Sequence, residues 1–361
     1  MGRRVAQGLG YSQSYSLFDL IEKDRPTAYL NMLFPTLMAG CWLLFGEHVV
    51  LYRLVQVTIA STLPLPVAVL GSALFGPRVG WLAAAATALY PMLVYFSPLL
   101  ITEPLFLALL YPGLALVLGT RAERVGLGRA TWCGVLLALS CLVRSVNALP
   151  RAHRGGLARP DAAAMERGRD GAPRVRRVLG AVGLPQHRHV RRPDALRYED
   201  GASAVGVPRR RADGRPRVIP MPPDLAGENE GRKNAELIRR GLAANLADPG
   251  TMLTSIYWKS RRFWSPLPKH SINARFTPLA AVTLGWIVPL GVVGALAWLA
   301  RRRLRVAWPL HAIVLVVAAV SSLSQGGARQ TLVIEPILLL FAVERIVALA
   351  DWIAARRGAQ A

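Results

Sequence analysis

Long apolar runs alternate with short polar or basic breaks over most of this 361-residue chain. The length of those runs sets the reading, because a hydrocarbon core about 30 Å thick takes roughly 20 apolar residues of helix. Seven segments meet that length: 52–75, 79–97, 103–119, 130–149, 276–300, 306–324 and 331–354. Between Leu51 and Gly119 the charged residues are Arg53, Arg78 and Glu103. A charge at the centre of a bilayer costs roughly 2.5 to 3.5 kcal/mol, so a bilayer demands such a stretch, whereas a water-soluble surface needs more charge. An eighth apolar run, 28–46, follows Glu22-Lys23-Asp24-Arg25 and holds Pro35. It predicts an interfacial or re-entrant segment broken at that proline. The pattern predicts an all-α, polytopic membrane protein of about seven transmembrane helices with interfacial helices beside them.

The boundaries follow. Residues 1–50 form an external or interfacial segment and 51–150 hold the first four spans. Residues 151–223 are a basic, non-membrane segment, and 224–275 an external amphipathic one. Residues 276–361 hold the last three spans and a cytoplasmic tail. Arginines orient the spans, since cytoplasmic loops are enriched in them. Arg78, then Arg121, Arg124 and Arg129, then Arg301, Arg302, Arg303 and Arg305, and finally Arg356 and Arg357 mark four breaks on one side. A single alternating path satisfies all four. It leaves 97–102, 150–275 and 325–330 outside, the C-terminus inside, and Met1 outside. That path expects a further membrane helix ahead of Met1, with the plasma membrane as the location.

Composition changes the picture only in the middle. Hydrophobic residues make up 53% of the chain while the net charge is +23, so the two must be segregated. Residues 151–220 hold 17 arginines, no lysine, seven acids and one aromatic, Tyr198. No apolar period or aromatic interleaving accompanies them, which excludes a nucleic-acid-binding face. His187 and His189 have no nearby carboxylate or thiolate to complete a metal site. An arginine-rich, lysine-free tract is what GC-rich coding DNA gives when read out of frame, so this segment is expected to be disordered or a frameshift product. Cys41, Cys133 and Cys141 lie in apolar segments and read as small buried hydrophobes.

Several local patterns recur in order. Pro26-Thr27-Ala28-Tyr29 precedes Leu33-Phe34-Pro35 and Leu44-Phe45-Gly46. Tyr52-Arg53-Leu54-Val55-Gln56 opens one span, and Leu74-Phe75-Gly76-Pro77-Arg78 closes it. Leu89-Tyr90-Pro91, Ser97 and Thr102-Glu103-Pro104-Leu105-Phe106 follow. Near the end, Gly326-Gly327-Ala328-Arg329 leads into Ile334-Glu335-Pro336. Together they resemble the polyprenyl-phosphate-sugar-dependent glycosyltransferases of the C superfamily, a group that includes protein O-mannosyltransferases and the bacterial aminoarabinose transferases of lipid A. The resemblance covers about 1–150 and 225–354. It implies transfer of a sugar from a polyprenyl-phosphate donor, at the external membrane face, to a glycan, lipid or protein acceptor. It also implies an acidic residue in the first external loop that activates the acceptor or aids metal binding, so a divalent metal is the one cofactor left open. In the family that acid lies ahead of the stretch beginning Arg4-Val5-Ala6-Gln7-Gly8, and this chain starts almost there; Asp19 and Asp24 are the nearby acids, neither in the expected place. A catalytically impaired relative is therefore the rival reading. A transporter is a third, disfavoured because the first four spans carry few polar groups and no paired broken helices mark a midplane site.

The candidate catalytic residue is Glu103, a carboxylate at a helix start where the resemblance places a family acid; such an acid also complements the helix dipole. Arg329 lies on the same predicted face, and a guanidinium fork suits phosphate. Arg53 and Arg144, near external helix ends, are candidates for lipid phosphate or for snorkelling. Residues 228–264 predict an amphipathic helix whose Tyr257-Trp258-Lys259 and Arg261-Arg262-Phe263-Trp264 anchor at the interface, with Lys259 or Arg262 as phosphate contacts. His311 is expected to make a satisfied polar contact inside a span.

Overall fold

The computed structural model describes residues 1–13, 24, 27, 31–119, 126–144, 222–225, 228, 230–264, 277–300, 304–323 and 328–358. Among the described residues the elements are all helical. They are α1 (Gly2–Ala6), α2 (Leu33–Phe45), α3 (Val49–Ala60), α4 (Pro64–Phe75), α5 (Pro77–Leu89), α6 (Pro91–Phe96), α7 (Thr102–Leu118) and α8 (Leu127–Val143). After the basic segment come α9 (Glu230–Ala247), α10 (Pro249–Phe263), α11 (Thr277–Ala300), α12 (Leu304–Leu323) and α13 (Glu335–Gly358). A 3-10 turn, Ala328–Val333, leads into α13. Residues 151–221, nearly all of the basic segment with His187 and His189, lie outside the described residues, as does Asp19.

Among the described residues, one helical stretch, Val49–Phe75, is long and apolar enough to cross a bilayer, with a mean hydropathy of 1.7. It comprises α3 and α4 joined by a turn at 61–63, where Pro64 starts the second helix at a position that needs no amide donor. Shorter apolar helices are Leu33–Phe45, Thr102–Leu118 and Leu127–Val143, with Ile287–Leu299 and Ala307–Leu323 inside α11 and α12.

Two sequence expectations are corrected. Pro35 does not break the run 28–46, because it is the third residue of α2 and a proline in the first turn removes no intrahelical hydrogen bond. The expected span 79–97 is not continuous. Tyr90 adopts an extended backbone (φ −67°, ψ 115°) ahead of Pro91, so the run divides into α5 and α6.

Packing rests on close backbone approach. Gly76, at φ 103°, is the single residue linking α4 to α5. Within that hairpin a Cβ on Gly71 would lie 2.8 Å from Gly80 Cα. The α11–α13 pair is made the same way: a Cβ on Gly291 would meet Leu338 O at 2.6 Å, and one on Gly294 would meet Phe341 O at 2.6 Å. Small residues that let helix backbones touch are the usual device where no hydrophobic effect drives helices together. Phe75 seals the junction, edge-on to Trp298 and Phe341 at 4.8 and 5.6 Å between ring centroids. Pro112, Pro289 and Pro309 sit inside α7, α11 and α12. Beside the first of them, Tyr111 Oη donates to Val333 O at 2.9 Å and ties α7 to the turn before α13.

Candidate functional site

α7 begins at Thr102, after Ile101 in an extended conformation, and Glu103 falls in its first turn, where a carboxylate meets the positive end of the helix dipole. The loop ahead of it is held from α3. Gln56, fully buried, donates through Nε2 to Leu99 O and, at 3.3 Å, to Ile101 O. Antiparallel to α7 runs α8, and Arg144 is its C-terminal cap, at the negative end of that helix. Arg144 Nη1 lies 2.5 Å from Glu103 Oε1, with side-chain exposures of 13% and 3%. Thr102 Oγ1 donates to Glu103 Oε2 at 3.3 Å. Two opposite charges, each already favoured by its own helix end, thus meet out of water.

The N-terminal segment leans over the same end of α8, where Asn31 Nδ2 donates to Cys141 O at 3.4 Å. Inside that segment Arg4 Nη1 pairs with Asp24 at 2.6 Å while Arg4 Nε donates to Ser12 Oγ at 2.8 Å. Asp24 is half-exposed and sits at φ 63°, a left-handed conformation that aspartate tolerates better than most residues. The chain matches no protein-family model, no curated protein and no solved structure.

The sequence candidates separate. Glu103 and Arg144 form one site. Arg53 is exposed on α3. Arg329 lies in the 3-10 turn before α13, and its side chain is outside the described residues. Lys259 is 4% exposed, and its Nζ donates at 2.9 Å to Leu323 O, the last carbonyl of α12. A lysine on a helix C-terminus satisfies a carbonyl left without an intrahelical donor and complements the dipole. Next to it Ser260 Oγ donates to Ser322 Oγ at 2.8 Å. The expected aromatic and cationic belt therefore divides by face: Ser255, Lys259 and Phe263 are buried, while Leu253, Tyr257 and Arg261 are exposed. Arg261 stacks its guanidinium over Trp258 at 5.2 Å. His311 bridges α11 and α12, Nδ1 at 3.0 Å from Ala307 O and Nε2 at 3.1 Å from Ala295 O.

A second charged site lies on α9. Glu236 accepts from Arg239 and Arg240, and Arg240 also reaches Asp224 across a shallow open cleft. Hydrogen bonds from Arg239, then Arg240, hold the Glu236 carboxyl down to about 2, well below its ordinary range. Arg240 holds Asp224 below its ordinary value as well. Acids and guanidiniums neutralise one another here, so the cleft offers no unspent charge to a ligand.

Residues that the sequence offered only as parts of its local patterns take on contacts at the joints. Gln56 staples the 97–101 loop, while Tyr90 and Glu335 are buried polar groups at helix starts. Both Tyr90 and Glu335 precede a proline inside an apolar run, which was the available signal.

Proposed function

We propose that this chain is a multi-pass protein of the plasma membrane whose Glu103–Arg144 end transfers a sugar from a polyprenyl-phosphate donor to an acceptor at the external face. The bilayer part is supported by what the helices turn outward: Leu65, Trp81, Leu89, Trp308 and Leu315 are large, apolar and exposed. It is supported too by the pairing of ends. Arg78, at the start of α5, meets Asp351, near the end of α13, at 2.7 Å, as the alternating path with a cytoplasmic C-terminus requires.

The observation that carries the transfer reading is the buried guanidinium of Arg144 held in place by Glu103. In such a reaction an acceptor hydroxyl oxygen attacks the anomeric carbon, the bond from that carbon to the phosphate oxygen breaks, and polyprenyl phosphate departs with the electron pair and takes up the hydroxyl proton. A forked donor preset at low dielectric stabilises the charge that develops on the leaving phosphate. Glu103 then acts as a positioning residue for Arg144. The two carboxylate oxygens of Glu103 are already engaged by Arg144 and Thr102, so neither is directed at an acceptor hydroxyl. Asp24 is likewise engaged, by Arg4, and this favours a second reading in which the scaffold persists without a base. Among the described residues no three histidine, cysteine, aspartate or glutamate side chains gather to hold a metal ion, so no step is routed through one. Arg53, Arg329 and Lys259 remain proposals for contact with donor phosphate.

The test is transfer by the purified full chain from a labelled polyprenyl-phosphate sugar. Turnover that falls about 10²- to 10³-fold in Arg144→Ala, the usual effect of removing one preset donor, supports the transferase. Absence of turnover in the parent protein rejects it. Turnover that survives Asp19→Asn and Asp24→Asn rejects the baseless scaffold.

A further inference from the structure

The last two turns of α13, from Asp351 to Gly358, are exposed on every side, whereas each residue from Glu335 to Val343 is buried. At about 1.5 Å of rise per residue, Arg356 stands roughly 32 Å along the axis from Glu335. The hydrocarbon core of a bilayer is about as thick, roughly 30 Å. With the buried start of α13 at one interface, its exposed end therefore lies at the other, among lipid headgroups. Leu349, Trp352 and Ile353 are exposed apolar side chains on that end. Arg356 lies one turn beyond Trp352, and Arg357 one turn beyond Ile353. The Arg356 guanidinium stacks over the Trp352 ring at 4.0 Å. Aliphatic groups, then an indole, then cations follow the order in which a bilayer passes from acyl chain to headgroup.

The acids nearest to these cations on α13 are Glu344, paired with Arg345, and Asp351, paired with Arg78. Among the described residues no carboxylate meets Arg356 or Arg357. The end of α13 differs in this from α9, where Glu236 and Asp224 neutralise the arginines. A guanidinium fork matches phosphate oxygens two at a time. Stacking on the indole face steadies that fork while leaving its N–H donors at the edge of the plane. A free phosphate ion would use the two arginines alone. A phospholipid uses the whole end, with its phosphate on the arginines and its acyl chains along Leu349 and Ile353. A lipid of net negative charge fits better than a zwitterionic one, whose own ammonium already balances its phosphate.

We propose that Arg356 and Arg357, with Trp352 beneath them, bind the phosphate of an anionic phospholipid in the leaflet on the C-terminal side. The site rests on the bilayer part of the reading above and is independent of sugar transfer.

The experiment is tryptophan quenching, at fixed salt, in the full chain reconstituted into phosphatidylcholine bilayers. These are titrated with phosphatidylglycerol or phosphatidylcholine brominated high in the acyl chains, and subtracting the Trp352→Phe signal isolates Trp352. An arginine near an anionic membrane surface is worth about five-fold in affinity, so brominated phosphatidylglycerol should quench Trp352 at a roughly 25-fold lower mole fraction than brominated phosphatidylcholine. Arg356→Gln or Arg357→Gln should each cut that preference about five-fold, and the double variant should abolish it. Inorganic phosphate in the buffer should leave it unchanged. Equal quenching by the two lipids overturns the proposal, as does a preference that survives in the double variant or one that inorganic phosphate abolishes. The exposed Trp81 and Trp308, isolated in the same way, report on the bilayer itself. If brominated phosphatidylcholine quenches neither, the bilayer reading falls and the site with it; if it quenches both while Trp352 shows no preference, only the site is rejected.

Discussion

Where α7 meets α8, Glu103 and Arg144 touch out of water; on α9, Glu236 meets Arg239 and Arg240 at the exposed surface. The contacts have similar lengths, 2.5 Å at the buried pair and 2.5 and 2.9 Å on α9, so distance does not separate them. Surroundings do. A surface pair exchanges hydration for a screened attraction and contributes little. A buried pair has already lost its hydration, and either partner left alone is a stranded charge. The first kind shapes a surface, and the second commits two helix ends to each other.

The comparison breaks most visibly at Arg144. Arg144→Leu should cost about 3–5 kcal/mol, the usual penalty for removing one partner of a buried ion pair, read as a fall in thermal midpoint of the purified protein. Adding Glu103→Leu should recover much of that loss, because the stranded carboxylate goes with it. A double variant no better than the single would mean that the pair is not desolvated. Lys259→Met tests an intermediate case, a buried cation on a carbonyl. A hydrogen bond to a charged group is worth about 1.5–3 kcal/mol, and the loosening should appear as faster hydrogen exchange at the α10–α12 contact. The smallest effect belongs to α9, where Arg240→Ala should leave the thermal midpoint unchanged. Acid should still find that helix. Glu236 titrates at about 2 when folded and near 4.3 when unfolded, so its contribution is whole above about 4.3 and is lost as pH falls toward 2. Exchange at amides of 230–247, corrected for intrinsic rate, should rise across that window while 102–118 stays protected.

The all-helical class was legible because apolar runs of helix length leave little choice of element. Glu103 was legible for a related reason: an acid at the head of an apolar run must begin a helix, and a helix start favours it. Its partner was not, since nothing in the local pattern of 127–144 says which of the arginines will meet an acid 41 positions away. The burial of Lys259 was not legible in composition. Tyr257-Trp258-Lys259 has the residues of an interfacial belt, yet a helix turns successive side chains to different faces, and the one facing α12 was the lysine. Pro35 and Pro91 teach the same point about register. One falls in a first turn and is silent, and the other follows Tyr90 and divides a run in two.

Gly76 gives α4 and α5 a single residue in which to reverse direction. With Gly71 and Gly80 in backbone contact, neither helix has room to enter or leave its surroundings without the other. The two helices are therefore expected to fold and to open as one unit. Under mechanical pulling they should come out in a single rip rather than two.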